Sequence, residues 1–160
     1  MKPLVPIIMG SKSDLSHGTA IADGLARFGI DSEIRVASAH KAPAFVLDLL
    51  RAYEVDPKPK VYVTVAGRSN ALSGLVDGSV ASPVIACPPY SDRFAGSDIY
   101  SSLRMPSGIA PAVVLEPAGA ALLAAKILGL GDDEIADAVG EAQQAATQTI
   151  IDDDQALRAE

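Results

Sequence analysis

The sequence predicts an α/β domain built around a central parallel sheet, and three observations carry that reading. Apolar runs of strand length alternate with longer amphipathic stretches, the pattern of βα units around a sheet buried on both faces. The chain has 160 residues, 49% of them hydrophobic. Area scaling then puts the folded surface near ~7,500 Å² against ~24,000 Å² unfolded, so the core needs no disulfide or structural metal. No internal repeat and no linker divides the chain, so residues 1–160 are expected to form one domain.

Leu4 to Met9 is the first strand, too short for an average buried helix. Pro6 lies inside it and, lacking an N–H, requires an edge or an unpaired position. Leu15 to Phe28 carries Leu15, Ile21, Ala22, Leu25 and Phe28 at helical spacing, with Asp14 as the cap before it and Gly29 after it. Ser32 to Ala37 is the second strand. Pro43 to Glu54 follows as a crossover helix, with Pro43 in its first turn and Val46, Leu47, Leu49, Leu50 and Tyr53 along it. Lys60 to Val65, Pro83 to Cys87 and Ala112 to Leu115 complete five strands, and shorter helices cover Asn70 to Asp77 and Asp98 to Leu103.

The tail differs in composition. Gly119 to Leu128 is Ala-rich, and Asp132 to Asp154 places Ile135, Ala138, Val139, Ala142, Ala146, Thr149 and Ile150 near a 3.6-residue period. Such alanine faces let helices approach closely, either within the domain or across a subunit interface. Asp152 to Glu160 is expected to be a solvated, fraying end.

Composition excludes several function classes. A formal net charge of -7, seven aromatic residues and no Trp argue against a nucleic-acid binder, whose affinity comes from clustered Lys and Arg. The single cysteine, Cys87, rules out an internal disulfide, and no Cys/His cluster has zinc-ligand spacing, so a metal site is not expected and a reducing cytoplasm is. The apolar start through Met9 is broken by Gly10-Ser11, short of a signal peptide or membrane span.

Ligands of an open parallel sheet bind at the carboxyl ends of its strands, so the loops that follow the strands are read together. After the first comes Gly10-Ser11-Lys12-Ser13-Asp14, a small hydroxyl-rich turn entering a helix N-terminus, which favours anions. It has neither a P-loop ending nor G-x-G-x-x-G spacing, so triphosphate and dinucleotide binding are not supported. After the second, Ser38-Ala39-His40-Lys41 sets an imidazole, suited to proton transfer near neutral pH, beside a cation. His17 has poorer company and is expected at the surface. After the third, Ala66-Gly67-Arg68-Ser69-Asn70 allows close backbone approach, with a short helix starting at Ser69 or Asn70. Cys87-Pro88-Pro89-Tyr90-Ser91-Asp92 is rigid, and Cys87 reads as a small buried residue.

Together with Ser101-Ser102-Leu103-Arg104-Met105-Pro106-Ser107-Gly108, these loops resemble the PurE enzymes of purine biosynthesis over nearly the whole chain. Class I members, mutases acting on N5-carboxyaminoimidazole ribonucleotide, typically show Ser-Ala-His-Arg and Ala-Gly-Gly-Ala-Ala-His-Leu-Pro-Gly. Here Lys41 stands in place of that Arg, Arg68-Ser69-Asn70 in place of Gly-Ala-Ala, and Ala71 in place of the second His. These departures match class II, the 5-aminoimidazole ribonucleotide (AIR) carboxylases that use CO2 directly.

The resemblance implies a flavodoxin-like three-layer α/β/α sandwich, assembled as a homo-octamer with the helix at about 132–154 reaching a neighbouring subunit. It implies carboxylation of AIR at C4 by CO2, reversibly and without a cofactor, with His40 moving the C4 proton. By the same resemblance Ser11, Asp14, Ser38 and Lys41 bind the ribose phosphate portion, and Gly67 and Ser69 hold the imidazole ring and CO2. Gly10, Ser13, Ala66, Asn70, Arg104 and Met105 are further candidates. Asp14 suits a ribose hydroxyl or a helix cap better than a phosphate, and Lys41 suits either phosphate or the nascent carboxylate. Two rival readings are a class I mutase and a non-catalytic flavodoxin-like module binding a mononucleotide.

Overall fold

The computed structural model describes residues 1–159. Five strands, β1 (Leu4–Met9), β2 (Asp31–Val36), β3 (Tyr62–Val65), β4 (Val84–Ala86) and β5 (Ala112–Val113), form one sheet in the order β2-β1-β3-β4-β5. Every pairing is parallel. Six helices accompany it: α1 (Leu15–Ala26), α2 (Pro43–Val55), α3 (Leu72–Asp77), α4 (Tyr100–Leu103), α5 (Pro117–Leu128) and α6 (Asp133–Arg158). The strand order reverses direction between β1 and β3, which leaves a crevice at their carboxyl ends.

Side chains alternate across each strand, so the sheet feeds two cores. On one face Val5, Ile7 and Met9 of β1 and Val63 and Val65 of β3 pack with Ile21 and Leu25 of α1 and with Ala120, Ala121, Ala124, Ala125 and Leu128 of α5. On the other, Leu4, Ile8 and Tyr62 pack with Val46, Leu49, Leu50 and Tyr53 of α2 and Leu72 and Val76 of α3. The result is the flavodoxin-like three-layer sandwich. The alanine face of α5 serves packing within the chain: Gly24 of α1 sits so close that a Cβ there would lie 2.7 Å from the Ala121 methyl.

Pro6 lies on an interior strand, not at an edge, and occupies a gap in one ladder. Leu4 and Gly10 donate their N–H groups to Pro59 and Val65, so even-numbered residues of β1 address the β3 side. Between the Leu4–Lys60 bridge and the continuous pairing that starts at Ile7–Val63 that ladder is interrupted, and Pro6 falls there. The register is the same on both sides of that gap, so the missing Pro6 N–H is itself the interruption, one donor absent from an interior ladder.

Three expectations need correction. The helix expected over Asp98–Leu103 begins only at Tyr100, because Arg93–Ile99 is an irregular segment with Phe94, Ala95 and Gly96 all at positive φ. α6 does not fray at Asp152 but continues to Arg158, with Asp132 accepting the Ile135 N–H at its start; Glu160 lies outside the described residues. His17 is not a surface residue: it is half-buried, with Nε2 3.3 Å from the Cys87 Sγ. Among the described residues no helix is long and apolar enough to cross a membrane.

α6 buries only Ile135 and Val139, and Ile150, Ile151 and Leu157 stay exposed along its outer turns. The chain accordingly shows 9147 Å² of accessible surface, more than the ~7,500 Å² of a compact fold of this size.

Candidate functional site

The loops after β1, β2, β3 and β4 enclose a cleft of about 530 Å³ at the carboxyl end of the sheet. Gly10, Ser11, Ser13 and Asp14 line it from the first loop, Ser38, His40 and Lys41 from the second, and Ala66, Gly67 and Ser69 from the third. Ten of the thirteen residues singled out from sequence thus share one cavity. The other three, Asn70, Arg104 and Met105, do not line it.

Each loop is folded by its own short-range bonds. The Ser11 hydroxyl accepts the Ser13 N–H at 3.2 Å and lies 2.8 Å from the Ser13 hydroxyl, so Ser11 caps the 3-10 turn Lys12–Asp14. The cap was expected from Asp14, which makes no such bond. The Asp14 carboxylate lies at the cleft wall, its Oδ1 3.5 Å from the Ser13 hydroxyl. In the second loop the Ser38 hydroxyl accepts the Lys41 N–H at 3.3 Å and the Ser38 carbonyl accepts the Ala42 N–H at 2.9 Å, a turn that carries His40 at its exposed crest.

The third loop is tied to a distant segment. Arg68 has φ 59°, a left-handed conformation in which its N–H meets Asp98 Oδ2 at 3.1 Å. Asn70 donates its N–H to Ser101 Oγ at 2.8 Å and its side-chain amide to Ser102 Oγ at 3.0 Å, while its carbonyl oxygen accepts the Ser73 N–H at 3.1 Å. Asn70 is buried and caps the start of α3. Met105 packs beneath α3, its Sδ 3.2 Å from where a Cβ on Gly74 would sit. Arg104 is exposed outside the cleft.

Sequence reasoning missed several wall residues, among them Arg68, Leu72, Pro89, Tyr90, Ser91 and Arg93. Arg68 and Leu72 follow β3 and Pro89, Tyr90 and Ser91 follow β4, so the rule that ligands bind beyond the carboxyl ends of parallel strands was the available signal for all five. Arg93 carried no motif of its own.

Charge in the cleft opposes that of the whole chain. Lys41, Arg68 and Arg93 line it against the single carboxylate of Asp14, and among the described residues none of the three cations is in an ion pair. A chain of net charge -7 therefore presents a cationic pocket suited to phosphate and carboxylate groups. Behind the cleft, burial pushes the Cys87 thiol up to about 12, with Glu116 adding to it, so Cys87 is a protonated packing residue and not a nucleophile. Burial also lowers the His17 imidazole from its ordinary value, against smaller opposing effects of its bond to Cys87 and of Asp14 and Glu116.

Comparison with known proteins places this arrangement. The family model described as AIR carboxylase matches residues 4–149. The phosphoribosylaminoimidazole carboxylase of Treponema denticola is 58% identical over 158 residues, covering 99% of each chain. The mouse bifunctional phosphoribosylaminoimidazole carboxylase/phosphoribosylaminoimidazole succinocarboxamide synthetase is 47% identical over 128 residues, 80% of this chain and 30% of that one. The crystal structure of Treponema denticola PurE superposes with a TM-score of 0.96 at 58% identity, over 98% of this chain and 99% of that one.

Proposed function

The chain belongs to the AIR carboxylase family, and from that premise we propose that it carboxylates 5-aminoimidazole ribonucleotide at C4 with CO2, giving 4-carboxy-5-aminoimidazole ribonucleotide in purine biosynthesis. The observation that supports the site is the convergence of His40 with Ser11, Asp14, Ser38, Lys41, Gly67 and Ser69 in one cationic cleft.

The exocyclic amine of the substrate pushes electron density onto C4, which attacks CO2. A C–C bond forms, one C–O π pair moves onto oxygen, and C4 becomes tetrahedral with hydrogen and carboxylate both attached. A base then removes the C4 proton, and its bonding pair restores the aromatic ring. His40 is that base, and in reverse it returns the proton to C4 ahead of CO2 loss. Ser11, Ser38 and Lys41 bind the ribose phosphate, with Asp14 accepting a ribose hydroxyl. Gly67 and Ser69 hold the ring and CO2 with backbone N–H groups that stabilise developing carboxylate charge.

Class II chemistry is favoured by Lys41, Arg68-Ser69-Asn70 and Ala71, and by the carboxylase names of both relatives. We place the reaction in the cytoplasm, consistent with the lone buried Cys87. The assembly is a homo-octamer in which the exposed turns of α6 pack on a neighbouring subunit; Ile150, Ile151 and Leu157 are its apolar contacts.

His40→Asn tests the catalytic assignment. The variant retains nucleotide binding and loses both carboxylation and decarboxylation by at least ~10²-fold. Turnover near that of the unaltered protein removes His40 from the mechanism.

A further inference from the structure

Alternate N–H groups of the third loop are consumed by the protein. Arg68 gives its N–H to Asp98 and Asn70 gives its own to Ser101. The N–H groups of Gly67 and Ser69, the two loop residues between and beside them that line the cleft, have no acceptor among the described residues. The alternation depends on Arg68 staying left-handed at φ 59°, a conformation unfavourable for any residue with a Cβ. Relaxation of Arg68 to negative φ would rotate the peptide units on both sides of it.

We propose that Asp98 is a positioning residue for the carboxylation site, holding Arg68 left-handed so that the Gly67 and Ser69 amides stay directed at the group that becomes the carboxylate. This deepens the functional reading above and rests on it. The restraint is built for the purpose. The Asp98 carboxylate gives a charge-assisted bond to the strained residue itself. The Ser101 hydroxyl accepts the Asn70 N–H at 2.8 Å and donates to the Asp98 carbonyl at 2.7 Å, which ties the two anchoring residues to each other. Asn70 Nδ2 on Ser102 closes the frame from beneath. Asp98 itself lies outside the main cleft, in an adjoining hollow with Ile99, Leu115 and Glu116. It acts through Arg68, not on substrate.

A glycine in place of Arg68 would adopt the same φ without a steric penalty, and that gives the test its specificity. Kinetics with CO2 and with AIR varied separately are measured for Asp98→Ala and Asp98→Asn, and for Asp98→Ala in the Arg68→Gly background. With Arg68 present, Asp98→Ala lowers kcat/KM for CO2 by roughly tenfold or more, in line with the sensitivity of catalysis to small displacements. KM for AIR stays within about twofold. Asp98→Asn, which keeps an acceptor oxygen for the Arg68 N–H, recovers activity to within about threefold. In the Arg68→Gly background Asp98→Ala costs less than about threefold, because the strain it held is gone. An equal loss in both backgrounds, no loss in either, or a parallel rise in KM for AIR overturns the proposal. Should Asp98→Ala fail to fold, Asp98→Ser, which also removes the carboxylate, takes its place, with the same expectation. Hydrogen–deuterium exchange over residues 66–71, which needs no turnover, separates this proposal from the functional reading. Faster exchange in Asp98→Ala without carboxylase activity in the unaltered protein sinks the function and leaves the restraint; unchanged exchange sinks the restraint.

Discussion

Thr64 offers a quantitative test of the packing around the site. It sits at the centre of the sheet, opposite Ile8 of β1 and Ala86 of β4, with no exposed surface and with no hydrogen-bond partner for its Oγ1 among the described residues. By strand alternation its side chain shares a face with Tyr62 and Ala66, in the core covered by α2 and α3. A buried hydroxyl without a partner costs about 1–3 kcal/mol of desolvation. Thr64→Val removes that cost, keeps the branched shape favoured in strands and adds a methyl to an apolar shell. Stabilisation of about 1–2 kcal/mol is expected, the lower part of that range because the larger methyl must be accommodated. For a chain of this length this raises Tm by about 2–8 °C. Urea and thermal unfolding, run at one protein concentration so that assembly does not shift the midpoint, measure it. Thr64→Ser, which keeps the hydroxyl and loses the methyl, is expected to be less stable than the native chain. If the valine variant is destabilised by more than about 0.5 kcal/mol, the hydroxyl has a favourable role that the packing argument misses.

Two further outcomes follow from the same geometry. Burial lowers the His17 pKa below its ordinary 6.5, so as pH falls through 6.5 the unfolded chain takes up a proton that the folded chain resists. Stability then declines until pH passes the lower folded value and is unaffected above about 7.5. His17→Gln should flatten that part of a urea-midpoint profile just below pH 6.5, and an unchanged slope would contradict the burial argument. Light scattering is expected to return an octamer, reduced to smaller species by Ile150→Glu/Ile151→Glu on α6; a monomeric native protein would refute the proposed assembly.

The fold was largely legible because its signals are local and periodic. β1 was read with its true bounds, and the remaining strands were located with ends one or two residues off, mostly too long. The cleft was legible by topology, since loops after parallel strands gather at one edge whatever their sequence. What escaped depends on contacts between distant residues. His17 meets Cys87 across 70 positions, and Arg68 meets Asp98 across 30. Helical spacing says nothing of either. The exchange of capping roles between Asp14 and Ser11 turns on one 3-10 turn that composition does not distinguish from the first turn of α1. Asn70 and Met105 belonged to motif-bearing stretches, yet their side chains support the loop from behind. α6 runs past its acidic Asp152-Asp153-Asp154 stretch with side-chain pairs one turn apart, Gln148 donating to Asp152 and Arg158 lying beside Asp154.

The most direct test is formation of 4-carboxy-5-aminoimidazole ribonucleotide from AIR, with bicarbonate/CO2 compared against freshly made N5-carboxyaminoimidazole ribonucleotide as the source of the carboxylate. Turnover that rises with CO2 is the predicted result. Turnover with the carbamate alone, beyond what its spontaneous breakdown supplies, would make the protein a mutase, and turnover with neither would contradict catalysis at this cleft.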